Sequence, residues 1–454
     1  MGDSITNISP IDGRYEGKTR ELNRIFSEYG LIRFRTLVEL QWFFFLKKEL
    51  GFFRLTDATE NLFSSIFEEF HPEDASRIKN IEKQTNHDVK AVEYFLGEKL
   101  DMLEAGDLKD WIHWALTSED VTNNAIALML TSGKQIIINL LEDLLEKIEN
   151  LGFKYKNTPM MSHTHGQPAS PTTVGKEFIN FAWRLREQKD KLEQIEIQGK
   201  LNGASGNFNA HHLDRPEIDW IKASEKFISQ YLHLKPQIWS TQINNYSYIS
   251  EILHCLVRIS CIIQDLNRDM WLYISLFYFK QKVEKGEVGS STMPHKVNPI
   301  DFENSEGNID VGVAMMEKLA TKLLVSRMQR DLSDSTTLRN LGSCFGYLLI
   351  AIKSTLKGLG KIEVNNQIIS YQLENNWSLM AEPIQTVMRS EKISGGYDML
   401  KALTRGRKIN QKIITDFIGE LNLPEEKAKR LKKGPYYYTD LAEKLVDEYF
   451  KTVK

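Results

Sequence analysis

Proline placement constrains this chain more than any other feature, because a proline inside a helix removes a hydrogen bond and clashes with the preceding turn. The 12 prolines leave open intervals between Pro72 and Pro159, Pro171 and Pro216, Pro236 and Pro294, and Pro299 and Pro383. Apolar residues fill these intervals at helical spacing. Ile137, Leu141, Leu144, Ile148 and Leu151 advance by steps of four and three, the stripe a helix buries against its neighbours. Ile252, Leu256, Ile259, Ile263, Leu266, Met270 and Tyr273 keep the same rhythm, and so do Leu338, Leu341, Phe345, Leu349, Ile352, Leu356 and Leu359. The near-3.5 period predicts helices crossing at shallow angles with knobs-into-holes packing. No segment alternates regularly between hairpin turns, so β structure is expected to be minor. The predicted fold class is all-α, built on a central bundle of long helices.

A chain of 454 residues exceeds what one core usually supports. Three units are expected: a helical N-terminal unit over 1–111, a long-helix unit over 112–363 and a smaller helical unit over 364–454. Lys357-Gly358-Leu359-Gly360 marks the second boundary, and Leu423-Pro424-Glu425-Glu426 reads as a helix start. A formal charge of −3 excludes a protein that coats nucleic acid, which requires a broad excess of Lys and Arg. Local clusters remain available for small anions. Cys255, Cys261 and Cys344 are too few and too scattered for a disulfide framework, which points to a reducing, cytoplasmic setting. No unbroken run approaches the roughly 18 apolar residues of a membrane span, and the N-terminus lacks the basic-then-apolar layout of a signal peptide, so no membrane partner is expected.

The segment from Gly286 to Pro299, GEVGSSTMPHKVNP, packs glycines, serines, prolines and a lysine between two helical segments. It reads either as an interhelical turn or as a ligand loop. Glycines allow close backbone approach to a ligand, and successive amides form a cradle for a carboxylate. His163 and His165 form an HxH pattern that also occurs in metal hydrolases, but no acidic or cysteine partner stands at ligand spacing, so no metal and no cofactor is expected. His87, beside Asp88 in a helical stretch, has capping or core service as its ordinary role. His211 and His212, beyond the glycine-rich Asn202–Asn207, are read as structural.

Gly289-Ser290-Ser291-Thr292-Met293-Pro294-His295-Lys296-Val297-Asn298-Pro299 resembles the GSSxMPxKxNP signature of the fumarase/aspartase superfamily. Within it, Thr164-His165-Gly166-Gln167-Pro168 and the stretch from Ile300 to Asn308 are similar to adenylosuccinate lyases of the long bacterial type. So are Pro10–Tyr15, Asn86–Tyr94, Thr117-Ser118-Glu119-Asp120, Thr241-Gln242-Ile243 and Gln329–Asn340, so the resemblance covers nearly the whole chain.

The resemblance implies a three-domain lyase fold that eliminates fumarate by acid–base chemistry, with Ser290 as general base and His165 as general acid. A serine hydroxyl is a poor base unless its alkoxide is stabilised, and Lys296 with the loop amides is the neighbouring feature suited to that. Imidazole titrates near neutral pH and suits delivery of a proton to a departing nitrogen. Ser291, Lys296, Val297 and Asn298 are expected to face the charge that develops beside the abstracted proton. Thr117, Ser118, Gln242 and Asn304 are expected at the succinyl carboxylates and other polar parts. Arg14, Tyr15, Arg330, Ser335 and Arg339, with the adjoining Thr336, Thr337 and Leu338, suit a phosphate monoester. Asn86, His87 and Asp88 are implied to contact substrate and support the acid. The implied substrates are adenylosuccinate and the succinylated aminoimidazole carboxamide ribotide (SAICAR), giving AMP, AICAR and fumarate. The implied assembly is a homotetramer whose active sites each draw on three subunits, and the apolar stripes are expected to be buried between subunits. The rival readings are a lyase acting on argininosuccinate, malate or aspartate, an inactive structural homologue, and a metal-dependent hydrolase.

Overall fold

The computed structural model describes residues 4–282, 293, 296–404 and 409–453. Each proline-free interval folds as long helix. Three helices precede the first of these, α1 (Glu16–Phe26), α2 (Glu28–Lys48) and α3 (Asp57–Ser65), and α4 (Pro72–Thr85) and α5 (Asp88–Met102) open it. Helix α6 (Ser118–Lys154) follows, then a hairpin of β1 (Pro159–Thr164) and β2 (Gln167–Thr173), then α7 (Val174–Gln194). Next come α8 (Ser247–Ser275), α9 (Ile300–Lys322), the short α10 (Ser333–Leu338) and α11 (Leu341–Lys361). Short helices from Asn366–Glu374 to Ala442–Thr452 complete the described chain, one of them at Glu425–Lys432 directly after Pro424. The fold is all-α, as expected, and strand is confined among the described residues to three two-stranded pieces.

The described residues divide into two compact units. One comprises residues up to 140, 188–261 and 307–353; the other comprises 141–187, 262–306 and those from 354 onward. Helices α6 to α9 and α11 each contribute residues to both. In the first unit, α2 is apolar nearly all round, and Trp42, Phe43, Phe44, Phe45 and Leu46 are all buried. Such a helix requires cover on every side. Phe43 and Phe44 share a core with Phe63, Phe70, Ile78, Phe95 and Leu100. In the second unit, Trp377, Met380, Ile384, Met388, Ile414, Ile418 and Leu431 form a core of their own.

The three apolar stripes are real, but the chain itself covers most of them. Ile137, Leu141, Leu144, Ile148, Ile252, Leu256, Ile259, Ile263, Phe345, Leu349 and Ile352 are all buried. The expectation that these stripes await a partner subunit is therefore corrected. Apolar surface left exposed lies elsewhere, at Phe153, Trp183, Trp271 and Leu272 in the second unit. The third stripe is also broken: Leu338 ends α10 and Leu341 begins α11, with Arg339 and Asn340 turning between them.

One described helix, Ser118–Lys154, is long and apolar enough to cross a membrane by length and composition, with mean hydropathy 1.2 over its best window. No unbroken apolar run shows this, because the apolar residues are spread among small polar ones. The share of that window buried inside the chain is 56%.

Candidate active site

The hairpin β1–β2 carries a histidine at its turn. Thr164 pairs with Gln167, leaving His165 and Gly166 as a two-residue turn, with φ of 53° and 71° respectively. Positive φ at both positions is the type I′ geometry that matches strand twist, and histidine is among the few non-glycine residues that tolerate it. Pro168 and Pro171 lie in β2, where a two-stranded hairpin has an open edge for them. A register shift between Met161 and Ser162 kinks the ladder. His165 is exposed, and its ring has no hydrogen-bond partner among the described residues. His163 lies half-buried with its ring 6.0 Å from that of Tyr278, and burial lowers its pKa. Among the described residues no three His, Cys, Asp or Glu side chains group as metal ligands would.

Four further candidates, Lys296, Val297, Asn298 and Asn304, lie in the same unit as His165. Lys296 is exposed, and its amide donates to the carbonyl of Met293 at 3.0 Å. The Val297 carbonyl accepts from Gln281 at 3.0 Å, and Asn298 follows it. Asn304, near the start of α9, accepts from the Ser354 hydroxyl at 2.9 Å. Beside it, Asn267, Ser305 and Thr355 close a buried triangle of hydrogen bonds at 2.8, 2.9 and 2.9 Å, tying α8, α9 and α11 together. Ser290 and Ser291 lie outside the described residues.

The first unit holds the remaining candidates. Asn86 ends α4 in the left-handed region, with φ of 52°, and His87 caps α5 by accepting the Lys90 amide on Nδ1 at 3.1 Å. The ordinary capping role is thus present, and the His87 side chain remains exposed. Asp88 meets the buried Arg35 at 2.8 Å. Burial raises its carboxyl pKa, but Arg35, the Val89 amide and Arg339 more than offset this, leaving the pKa below the usual aspartate value.

Arg339 lies 3.5 Å from Asp88 and donates to the Ser335 hydroxyl at 2.6 Å. Thr336 is exposed, Thr337 donates to the Ser333 carbonyl at 2.8 Å, and the Leu338 side chain is buried in the core. Arg14 is exposed, 5.9 Å over the ring of Tyr15.

Arg330 is not a solvated surface charge. It meets Glu119 at 2.8 Å and Asp334 at 3.6 Å, and donates to the Gln242 side chain at 3.3 Å. Tyr246 donates to Asp334 at 3.0 Å, and Asn123 donates to Glu119. Burial lifts the Glu119 pKa to about 7; Arg330 opposes the rise and Asp334 adds to it. Thr117 and Ser118 stand half-buried at the head of α6, just before these acids. Glu119, Asp120 and Asp334 lie in the stretches that carry the family resemblance but have no role assigned from sequence, and Lys200 and Arg35 have no mark there at all. An ionisable residue carries no local mark of burial when its partner lies far along the chain.

A lyase family model matches residues 13–311, and an adenylosuccinate lyase C-terminal model matches residues 326–439. An adenylosuccinate lyase of Escherichia coli strain K12 is 49% identical over 453 residues, covering 98% of this chain and 99% of that protein. The chain belongs to the adenylosuccinate lyase family. The family member of Haemophilus influenzae is 47% identical, again over 98% of this chain and 99% of its own length. Among solved structures, a 3-carboxy-cis,cis-muconate lactonizing enzyme from Pseudomonas putida superposes with a TM-score of 0.76 at 17% identity, covering 95% of this chain and 97% of that one. A fumarate lyase from a Mesorhizobium species matches equally well at 17% identity. These likenesses show a shared fold.

Proposed function

We propose that this chain eliminates fumarate from adenylosuccinate, leaving AMP, and from SAICAR, leaving AICAR, in purine nucleotide biosynthesis. The observation that carries the choice over rival superfamily lyases is the Arg339 cluster. A forked cation held by the Ser335 hydroxyl and Asp88 suits a phosphate monoester. Argininosuccinate, malate and aspartate carry no such group.

In the proposed reaction the Ser290 alkoxide takes a proton from the succinyl carbon beside a carboxylate. The electron pair left behind is delocalised into that carboxylate, so two negative charges develop on its oxygens. Ser291, Lys296, Asn298 and the amide of Val297 face this charge, and donors fixed in place stabilise it more in the transition state than in the ground state. The carbon–nitrogen bond then breaks, the new double bond forms, and His165 gives its proton to the leaving nitrogen. Fumarate departs. Thr117, Ser118, Gln242 and Asn304 hold the substrate's carboxylates and other polar parts. Arg14, Tyr15, Arg330, Ser335, Thr336, Thr337, the backbone of Leu338 and Arg339 hold the nucleotide, with Asn86, His87 and Asp88 lining it.

The functional form in this reading is a cytoplasmic homotetramer in which several subunits supply each site, organised as domains 1–111, 112–363 and 364–454. Exposed Trp183, Trp271 and Leu272 are apolar surface suited to subunit contact. The test is direct: purified protein is mixed with adenylosuccinate, SAICAR or argininosuccinate and followed by ultraviolet absorbance. Turnover of the first two and not the third is expected. Absence of turnover on adenylosuccinate at any concentration sinks the proposal.

A further inference from the structure

Asp120 and Lys200 form an ion pair in the first unit with no exposed surface on either side chain, Nζ standing 2.8 Å from Oδ1. Withdrawing two charges from water is expensive, and a buried pair is weak support for stability. What distinguishes this one is where its remaining hydrogen bonds go. The Asp120 carboxylate accepts the amide of Thr117 at 3.0 Å, the amide of Asn202 at 3.1 Å and the amide of Gly203 at 3.1 Å. Gly203 has φ of 81°, a conformation that glycine adopts without strain. Lys200 Nζ donates to the carbonyl of Gln242 at 2.8 Å and to that of Gly203 at 3.3 Å. Asn124, one turn along α6, accepts from the Lys200 amide at 3.0 Å and donates to the Lys200 carbonyl at 2.7 Å. The pair therefore fastens together the head of α6, the 202–207 loop and the segment carrying Gln242. The Gln242 side chain is aimed in turn by Ala204 at 3.2 Å and Arg330 at 3.3 Å.

We infer that Asp120 and Lys200 are positioning residues: together they set the spacing between Thr117, Ser118 and Gln242 to the succinyl part of the substrate, without touching it. This rests on the reading above that those three residues hold the substrate. A buried charge pair suits the task because both ions have several partners and strong directional bonds, so the three segments share one geometry.

The test separates positioning from mere structure by asking which half of the substrate is lost. In full-length Lys200→Met and Asp120→Asn, each shown by circular dichroism to be folded, the KM for adenylosuccinate should rise about tenfold, the effect of one unsatisfied buried group. Inhibition by fumarate should weaken in proportion, while inhibition by AMP stays within about twofold. Equal weakening of fumarate and AMP, or no change in either, overturns the inference. Lys200→Gln, which keeps a donor near the Gln242 carbonyl, serves if the first variants do not fold. It should show the same split more mildly, and parental KM and fumarate inhibition in that variant also overturn the inference. Gln242→Ala runs in parallel. If it leaves KM and fumarate inhibition unchanged, the assignment of Gln242 to the substrate fails. If it raises KM and the Lys200 variants do not, the positioning claim fails alone.

Discussion

The head of α6 and the tip of the β1–β2 hairpin both present polar side chains, yet they are built in opposite ways. Glu119, Asp120, Asn123 and Asn124 are buried and bonded to groups from three distant segments, those of Lys200, Asn244 and Arg330. His165 stands exposed on a two-residue turn with no side-chain partner among the described residues. Binding groups must hold a fixed geometry before the ligand arrives, which calls for a dense frame. A proton donor, the role proposed for His165, must reach and release, which favours a stiff mount with a bare ring.

That contrast fails first at His165 if it fails at all. His165→Asn, a residue tolerated in the left-handed region, should lower kcat about 10²–10⁴-fold and leave the melting midpoint unmoved. A midpoint several degrees lower in a calorimetric scan would make the turn structural. At the other pole, Arg330→Ala strands Glu119 and Asp334 among buried neighbours. Urea unfolding at pH 8 should show a loss of about 3 kcal/mol, with a smaller loss at pH 6 where Glu119 takes up a proton.

Glu119 sharpens the picture further. Its folded pKa of about 7 exceeds the ordinary glutamate value of 4.5. The folded state therefore binds the proton more tightly, and the associated stability is complete below pH 4.5 and lost as pH rises through 7. Glu119→Gln should flatten this slope and raise stability at pH 8 by on the order of 2 kcal/mol, measured as unfolding free energy across pH. Unchanged pH dependence would show that the carboxyl is already ionised in the native protein. The smallest effect expected is at His87. Its replacement by Ala removes the α5 cap at about 1 kcal/mol, read by thermal melting.

Much of this molecule was legible in its sequence. Proline-free intervals located the long helices, because a proline excludes helix interior whatever the tertiary context. Ile252 to Met270 and Ile137 to Leu151 proved buried because helical periodicity is local. The hairpin was missed because β2 carries Pro168 and Pro171, which strand patterns exclude except at an open edge. The motif at Thr164–Pro168 drew attention to His165 for chemistry while giving no hint of its turn. The partners of Glu119 and Asp120 were invisible for a different reason. Nothing near position 119 records that position 330 will lie beside it, and a lysine bound for a core is spelled like one bound for solvent.

The same separation bears on how the protein is made. Asn124 waits for Lys200, 76 residues behind it, Asn123 waits for Asn244, 121 residues behind, and Glu119 waits longer still for Arg330. At roughly 5–20 residues per second, a ribosome needs on the order of ten seconds to supply the last of them. Until then α6, apolar enough by composition to resemble a membrane span, lacks part of the contacts that occupy its polar head. A nascent chain stalled before residue 330 should therefore bind holding chaperones and yield to protease within α6, and release both liabilities once Arg330 has left the exit tunnel.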